Sequence, residues 1–220
     1  GIGSSSDRIV AGWNGIPFEK PLTRVRETLG FLQAALAGER TETGFKLEAA
    51  PPQRVPIVLA ALRGKMLELA VERADGAFTN FLPLAGLPRV REQLAGAPDG
   101  FELLCRFFCL PGERDQVEPL ARLMFSSYVT VPVYEAFYRW LGYGRQIDPM
   151  VAAWRAGDRK GAAEAAPWEL IENTFVFGPP ERMVERVREF TAGGVTLPIL
   201  MPVAPPERAA ELIEALAPAA

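Results

Sequence analysis

A charged turn after the apolar run at 54–61 has the residue types that bind anions. It comprises Ala61, Leu62, Arg63, Gly64 and Lys65. Lys65 begins a segment of helical periodicity, and the first backbone N–H groups of a helix lack intrahelical acceptors and lie at its positive end. We therefore predict an anion site here, to which Lys65 adds charge. The alternative is an ordinary strand–helix turn with solvated Arg63 and Lys65.

The first residues of the chain form a second candidate binding segment. Gly1 and Gly3 allow a ligand to approach the backbone closely, and Ser4 and Ser5 carry hydroxyls that both donate and accept hydrogen bonds. Such a segment suits a polar, planar ligand. The alternative is a glycine- and serine-rich turn that caps a helix.

A third group of candidates combines one amide with aromatic side chains. Asn80 and Phe81 end a predicted strand, and Tyr128, Tyr134 and Tyr138 lie in a helical region that would cover the mouth of the fold. Together they are predicted to line an apolar substrate pocket. The alternative is that the aromatic residues form core between helices.

Composition limits the chemistry. The 220 residues contain no histidine, which excludes Ser-His-Asp triads and HExxH zinc sites within them, and no metal site or catalytic residue is assigned. Lys and Arg number 24 against 27 Asp and Glu, with no basic block, so nucleic acid is not expected as a partner. No apolar stretch is long enough for a membrane span. Cys105 and Cys109 are predicted to be buried apolar residues without a redox role, and the lack of a disulfide pattern favours a cytoplasmic location.

Short apolar strands alternate with amphipathic helices along the chain. Predicted strands at 54–61, 77–81, 101–110, 174–177 and 195–201 are followed or separated by helices, with a helical insertion at about 130–173. This order predicts an α/β fold with parallel strands. No GxGxxG follows a strand, so a barrel is favoured over a Rossmann sheet. A closed (β/α)8 barrel needs eight strands, so residues 1–220 are predicted to form a single domain that is an incomplete TIM barrel.

Three stretches together resemble the luciferase-like monooxygenase superfamily, in its coenzyme F420-dependent oxidoreductase branch. The first stretch is GIGSSS at 1–6, continued by WNGIPFEKPL at 13–22 and RET at 26–28. The second is PIVLAALRGKML at 56–67, closing in ADG at 74–76, and the third is FGPPER at 177–182 with GGV at 193–195. In that family the first stretch follows three strand–helix units, so the resemblance implies that the N-terminal third of the barrel is missing.

The resemblance also implies a cofactor and a reaction. Coenzyme F420, or alternatively FMN, would place its phosphate at 62–65 and its ring or ribityl chain at 1–6. The expected activity is hydride transfer between coenzyme F420 and a small, largely apolar organic substrate. An FMN-dependent monooxygenase and a non-catalytic barrel remnant are the alternatives. Some relatives carry a catalytic carboxylate where Ser4 stands, so the proton donor is unassigned. Relatives usually pair as dimers, which predicts a homo-oligomer.

Overall fold

The computed structural model describes residues 1–217, which divide into two compact units. Unit 1 contains Gly1–Phe78 and Gln93–Glu102, and unit 2 contains Thr79–Glu92 and the chain from Leu103 onward. The chain therefore passes between the units more than once. The organisation of 1–220 as a single domain stays a prediction.

Unit 1 is built on short parallel strands beside two helices. Its elements are α1 (Pro21–Leu36), β1 (Val58–Ala60), α2 (Lys65–Arg73) and the first part of β2 (Gly76–Asn80), with a π-helix at Arg8–Trp13. β1 and β2 pair in parallel with Leu59 opposite Ala77, and Ile2 forms a parallel bridge with Leu59. Parallel pairing places the carboxyl ends of the Ile2 segment and of β1 at one edge of unit 1.

Unit 2 contains the longest strand and most of the helices. Its strands are β3 (Glu102–Pro111, from Leu103 onward), β4 (Val176–Gly178) and β5 (Leu197–Pro202), and β3 pairs in parallel with both of the others. Its helices are α3 (Leu87–Gln93, up to Glu92), α4 (Arg114–Val129), α5 (Pro132–Trp140), α6 (Gly144–Arg155), α7 (Arg159–Ala165), α8 (Trp168–Thr174), α9 (Pro180–Ala192) and α10 (Pro206–Leu216). Between Pro132 and Thr174 the chain is entirely helical apart from short turns.

β3 is buried on both faces, as strands of parallel sheets usually are. On one face Phe107 packs against Phe190 of α9 with ring centroids 4.3 Å apart. Phe108 on the other face meets the ring of Phe81 at 5.3 Å. Arg106 shares the Phe108 face, so a charged side chain lies within the apolar part of the strand that follows Glu102.

One helix begins earlier than its local sequence predicts. The pair Asp148–Pro149 is typical of an N-cap followed by a first-turn proline, which is tolerated there. The structure instead places Pro149 inside α6, which begins at Gly144, and Asp148 accepts a hydrogen bond from Arg139 at 2.7 Å. The difference depends on where a helix begins, which local pattern fixes poorly. Asp158 is exposed and caps α7, since its carboxylate accepts from the Gly161 N–H at 2.8 Å.

Within residues 1–217, none of the helices is both long and apolar enough to cross a membrane.

Candidate functional site

The first candidate segment runs along β1. The Ile2 N–H donates to the Val58 carbonyl at 3.0 Å, and the Ala60 N–H donates to the Ile2 carbonyl at 2.8 Å. A Cβ added to Gly3 would lie 2.7 Å from the Ala60 Cβ, well inside van der Waals contact. Gly3 is therefore required by close packing on β1, whether or not a ligand also approaches it. Gly1 has no such constraint, since its added Cβ would lie 3.5 Å from the Val58 carbonyl oxygen.

The two serines begin the loop after this paired segment. The Ser4 hydroxyl lies 3.5 Å from the Ser5 carbonyl oxygen, a long contact that leaves the hydroxyl available. Ser5 has a φ of 57°, a left-handed conformation that non-glycine residues seldom adopt. Gly3 and Ser4 line a groove that α1 also borders through Arg24 and Thr28. Most of the groove lining is apolar, with Ser4, Glu19, Arg24 and Thr28 as its polar members.

The second candidate segment turns from β1 into α2. Ala61 is buried and its N–H donates to the Phe78 carbonyl at 3.0 Å, whereas Arg63 and Lys65 are exposed. Gly64 adopts a φ of 58° and a ψ of −142°, a conformation that is essentially restricted to glycine. This geometry makes the turn tight enough for α2 to begin directly at Lys65. Leu62 is half-buried beside it.

The amino end of α2 is suited to an anion, with one change from the prediction. The Gly64 N–H is already used, because it donates to the Gln93 side-chain oxygen at 2.8 Å. The N–H groups of Lys65, Met66 and Leu67 have no acceptor among the residues that the structure describes. These three donors, with the Lys65 ammonium, fit a phosphate group.

Ser4 and Gly64 follow neighbouring parallel segments of unit 1, so the structure brings the two predicted cofactor segments to the same edge. The contact of Gly3 with Ala60 is the direct link between them. Their assignment to a cofactor stays a prediction.

The predicted substrate residues of unit 2 form a polar chain against aromatic rings. Asn80, the last residue of β2, donates through Nδ2 to the Tyr134 hydroxyl at 2.7 Å. Its Oδ1 accepts from the Arg106 Nε at 3.2 Å. Because arginine is always a donor, these two bonds fix the orientation of the Asn80 amide. Burial raises the pKa of the Tyr134 phenol, and the hydrogen bond from Asn80 and the charge of Arg106 offset this in part.

The aromatic residues pack around Phe81. Its ring stacks on Tyr128 with centroids 4.4 Å apart and meets Tyr134 edge-on at 5.7 Å. Phe81 is 2% exposed and has a φ of 53°. A left-handed phenylalanine is strained, and such residues persist where the surroundings hold them in place. The structure thus brings Asn80, Phe81, Tyr128 and Tyr134 together, and their role in a substrate pocket stays a prediction.

Tyr138 takes no part in the hydrogen-bonded chain of Asn80, Arg106 and Tyr134. It is completely buried, its ring meets Phe125 edge-on at 5.4 Å, and its hydroxyl lies 2.9 Å from the Thr174 hydroxyl. Thr174 donates to the Leu170 carbonyl, so Tyr138 is the donor of the pair. These contacts support a core role for Tyr138, and the pocket discussed below does not include it.

Sequence reasoning missed Arg106. The signal was present, because an arginine between Cys105 and Phe107 interrupts the apolar run that follows Glu102. Cys105 and Cys109 are free and buried, and burial raises the pKa of Cys109 to about 12 and that of Cys105 still further. Both thiols therefore stay protonated near neutral pH, as their predicted apolar role requires.

Two known proteins are similar in sequence to most of this chain. A putative coenzyme F420-dependent oxidoreductase of Mycobacterium tuberculosis is 27% identical over 91% of the chain, which covers 68% of that protein. A 5,10-methylenetetrahydromethanopterin reductase of Archaeoglobus fulgidus is 27% identical over 89% of the chain, which covers 64% of it. The chain thus spans about two thirds of the length of these relatives.

The fold is also shared with a solved structure. The coenzyme F420-dependent tetrahydromethanopterin reductase of Methanopyrus kandleri superposes with a TM-score of 0.69 at 18% identity, over 96% of this chain and 70% of that one. This likeness confirms the predicted α/β fold of an incomplete (β/α)8 barrel, with five strands among the described residues. The luciferase-like monooxygenase profile matches residues 1–197. The chain belongs to the luciferase-like monooxygenase family.

Proposed function

We propose that this chain is part of a coenzyme F420-dependent oxidoreductase that transfers a hydride between the cofactor and a small organic substrate. The observation that carries the proposal is the open amino end of α2, where Lys65, Met66 and Leu67 offer three N–H groups beside a lysine ammonium. One relative is named as a putative coenzyme F420-dependent oxidoreductase, and one structural neighbour as a coenzyme F420-dependent tetrahydromethanopterin reductase. A second relative is named as a methylenetetrahydromethanopterin reductase. These names support the choice of cofactor.

The residues of unit 1 would bind and orient the cofactor. Gly64 makes the turn that exposes the α2 N–H groups, and Gln93 holds this turn by accepting from the Gly64 N–H. Arg63 and Lys65 add positive charge toward a phosphate. Ser4 and Ser5 supply hydroxyl and backbone groups toward the ring or the ribityl chain. Bound coenzyme F420 would supply the hydride chemistry, which no side chain of this protein provides.

The residues of unit 2 would contact the substrate. Phe81 and Tyr128 offer flat apolar surface, and Asn80 and Tyr134 offer fixed polar groups beside it. A few oriented polar groups on an apolar wall are typical of small-molecule sites. We include Asn80, Phe81, Tyr128 and Tyr134 in this proposed pocket.

Spectral titration of the purified protein with coenzyme F420 and with FMN tests the proposal. We expect micromolar binding of coenzyme F420 and weaker binding of FMN. The Lys65→Gln variant should bind coenzyme F420 roughly two- to tenfold more weakly, because it loses one charge at the phosphate. Lys46→Gln is the matched control, since Lys46 is an exposed lysine of the same unit, and its affinity should equal that of the unchanged protein.

Other outcomes would select the alternatives. Preferential FMN binding with oxygen consumption on substrate addition would favour a monooxygenase. Binding of neither cofactor would favour a non-catalytic scaffold. Equal losses in Lys65→Gln and Lys46→Gln would refute the phosphate site at α2 while leaving the cofactor open. A homo-oligomer and a cytoplasmic location stay predictions, and a monomer by light scattering would contradict the first.

A further inference from the structure

Arg106 is a charged group without a carboxylate partner inside an apolar strand. Its neighbours Cys105 and Phe107 are almost completely buried, and Arg106 itself is only partly exposed. Within the described residues, no Asp or Glu oxygen lies within salt-bridge distance of its guanidinium. Desolvating an arginine without a counter-charge is costly, so such a residue in a core strand calls for a reason.

The guanidinium is held in place with most of its donors free. Its Nε donates to Asn80 Oδ1 at 3.2 Å, and no described residue accepts from its two terminal nitrogens. The planar group lies over the Phe108 ring at 4.7 Å from the centroid, which orients it further. A fixed guanidinium with free terminal N–H groups matches the paired oxygens of a carboxylate.

Tyr134 supplies a second donor beside the guanidinium. Its oxygen accepts from Asn80 Nδ2, so the phenolic hydrogen is not used in that bond. Burial keeps the phenol protonated by raising its pKa, so the hydroxyl is available to donate. Asn80 thus holds Arg106 and Tyr134 at its two ends and leaves both with hydrogens to give.

The surroundings of these donors are aromatic. Tyr134 meets Phe81 and Tyr128 edge-on at 5.7 and 5.8 Å, and Phe108 lies beneath Arg106. These rings offer flat apolar surface beside the donors, which suits an anion that carries an aromatic or unsaturated body.

We propose that Arg106 and Tyr134, positioned by Asn80, bind the carboxylate of a small aromatic or unsaturated acid. This inference deepens the proposed function, since it names the substrate class of the same pocket. It also replaces the largely apolar substrate expected from the sequence with an anionic one. Arg106 is the specificity-determining residue, and Asn80 is a positioning residue.

The test compares benzoate with benzamide, its neutral analogue, by NMR titration of the purified protein. We expect benzoate to bind about tenfold more tightly than benzamide, as a charge-assisted pair implies. Arg106→Gln should remove that preference by weakening benzoate alone. Arg145→Gln is the matched control, because Arg145 is exposed and unpaired among the described residues of unit 2 and its loss changes the net charge equally. Its benzoate affinity should not change.

Two further variants keep the proposal testable if Arg106→Gln does not fold. Asn80→Asp places a carboxylate 3.2 Å from the Arg106 Nε, where it would pair with the guanidinium and accept from Tyr134. It should abolish the benzoate preference. Tyr134→Phe removes one donor and should weaken benzoate about three- to tenfold.

Specific results would overturn the proposal. It is wrong if benzoate binds no more tightly than benzamide, or if the folded Arg106 and Asn80 variants match Arg145→Gln. The coenzyme F420 titration on the same samples separates the two proposals. Cofactor binding without a benzoate preference overturns only the anion site, whereas a benzoate preference without cofactor binding overturns only the proposed function.

Discussion

Replacing Gly3 by alanine separates packing from ligand binding at the start of the chain. The new Cβ would lie 2.7 Å from the Ala60 Cβ, whereas carbon atoms pack best at about 3.5–4.0 Å. One of the two backbones must therefore move by roughly 1 Å. The hydrogen bonds of Ile2 to Val58 and Ala60 resist this movement.

The magnitude follows from this overlap. Overpacking of this kind costs about 1–3 kcal/mol, and we expect Gly3→Ala to lower the free energy of unfolding by that amount. Ala60→Gly removes the opposing methyl group and should cost about 0.5–1 kcal/mol alone, because glycine weakens a strand. In the double variant the clash is absent, so the two changes should couple favourably by about 1–2 kcal/mol.

Urea denaturation followed by circular dichroism measures the free energy of unfolding of the unchanged protein, Gly3→Ala, Ala60→Gly and the double variant. Each of these four proteins is also titrated with coenzyme F420. If Gly3 serves packing alone, the double variant recovers both stability and cofactor affinity. If the cofactor also approaches Gly3, stability recovers and affinity does not. Gly1→Ala is the matched control, since its Cβ meets only an ordinary contact at 3.5 Å from the Val58 oxygen. It should change stability by less than about 0.5 kcal/mol.

Two results would refute this reasoning. Wild-type stability of Gly3→Ala would mean that the segment does not pack on β1 as described. Simple additivity of Gly3→Ala and Ala60→Gly would mean that the two residues do not oppose each other.

Three further predictions concern local features. Gly64→Ala should lower the free energy of unfolding in urea by about 1–2 kcal/mol. Backbone strain is the sole cause, since no described atom lies within 4 Å of the added Cβ. An unchanged midpoint of urea unfolding would contradict the φ of 58° at Gly64. Thr79→Val should raise stability by about 1 kcal/mol in a thermal melt, because the buried Thr79 hydroxyl has no partner among residues 1–217, and a loss would imply an unseen bond. Cys105 and Cys109 should resist iodoacetamide at pH 8 and react only after unfolding, as mass spectrometry can show. Burial raises the pKa of each thiol, so little thiolate forms at pH 8, and rapid native labelling would contradict their burial.

Local pattern predicted the helices well. Pro21 suits the first position of a helix and is followed by apolar residues every three or four positions, and α1 runs from Pro21 to Leu36. The helical periodicity that begins at Lys65 predicted a helix there, and α2 runs from Lys65 to Arg73. These elements depend on hydrogen bonds and side-chain spacing within one short segment, so their signal is local.

Strand lengths depended on partners that the sequence does not reveal. The apolar run at 54–61 predicted a strand of eight residues, but only Val58–Ala60 is paired. Pro56 has no N–H to donate, and the strand extends only as far as β2 and Ile2 provide partners. Pairing is a non-local property, so apolar character alone could not set its limits.

The sequence by itself determined the fold class and the turn from a strand into a helix at 61–65, because both follow from periodicity or a short motif, whereas the ligand roles assigned to that turn and to the aromatic residues stay predictions. Only the tertiary structure decided that Asn80 joins Arg106 and Tyr134, which lie 26 and 54 residues from it along the chain. It also decided that Tyr138 bonds Thr174 in the core. The physical reason is that a hydrogen bond between distant residues exists only when the backbone brings donor and acceptor within about 3 Å, and no local pattern encodes that distance.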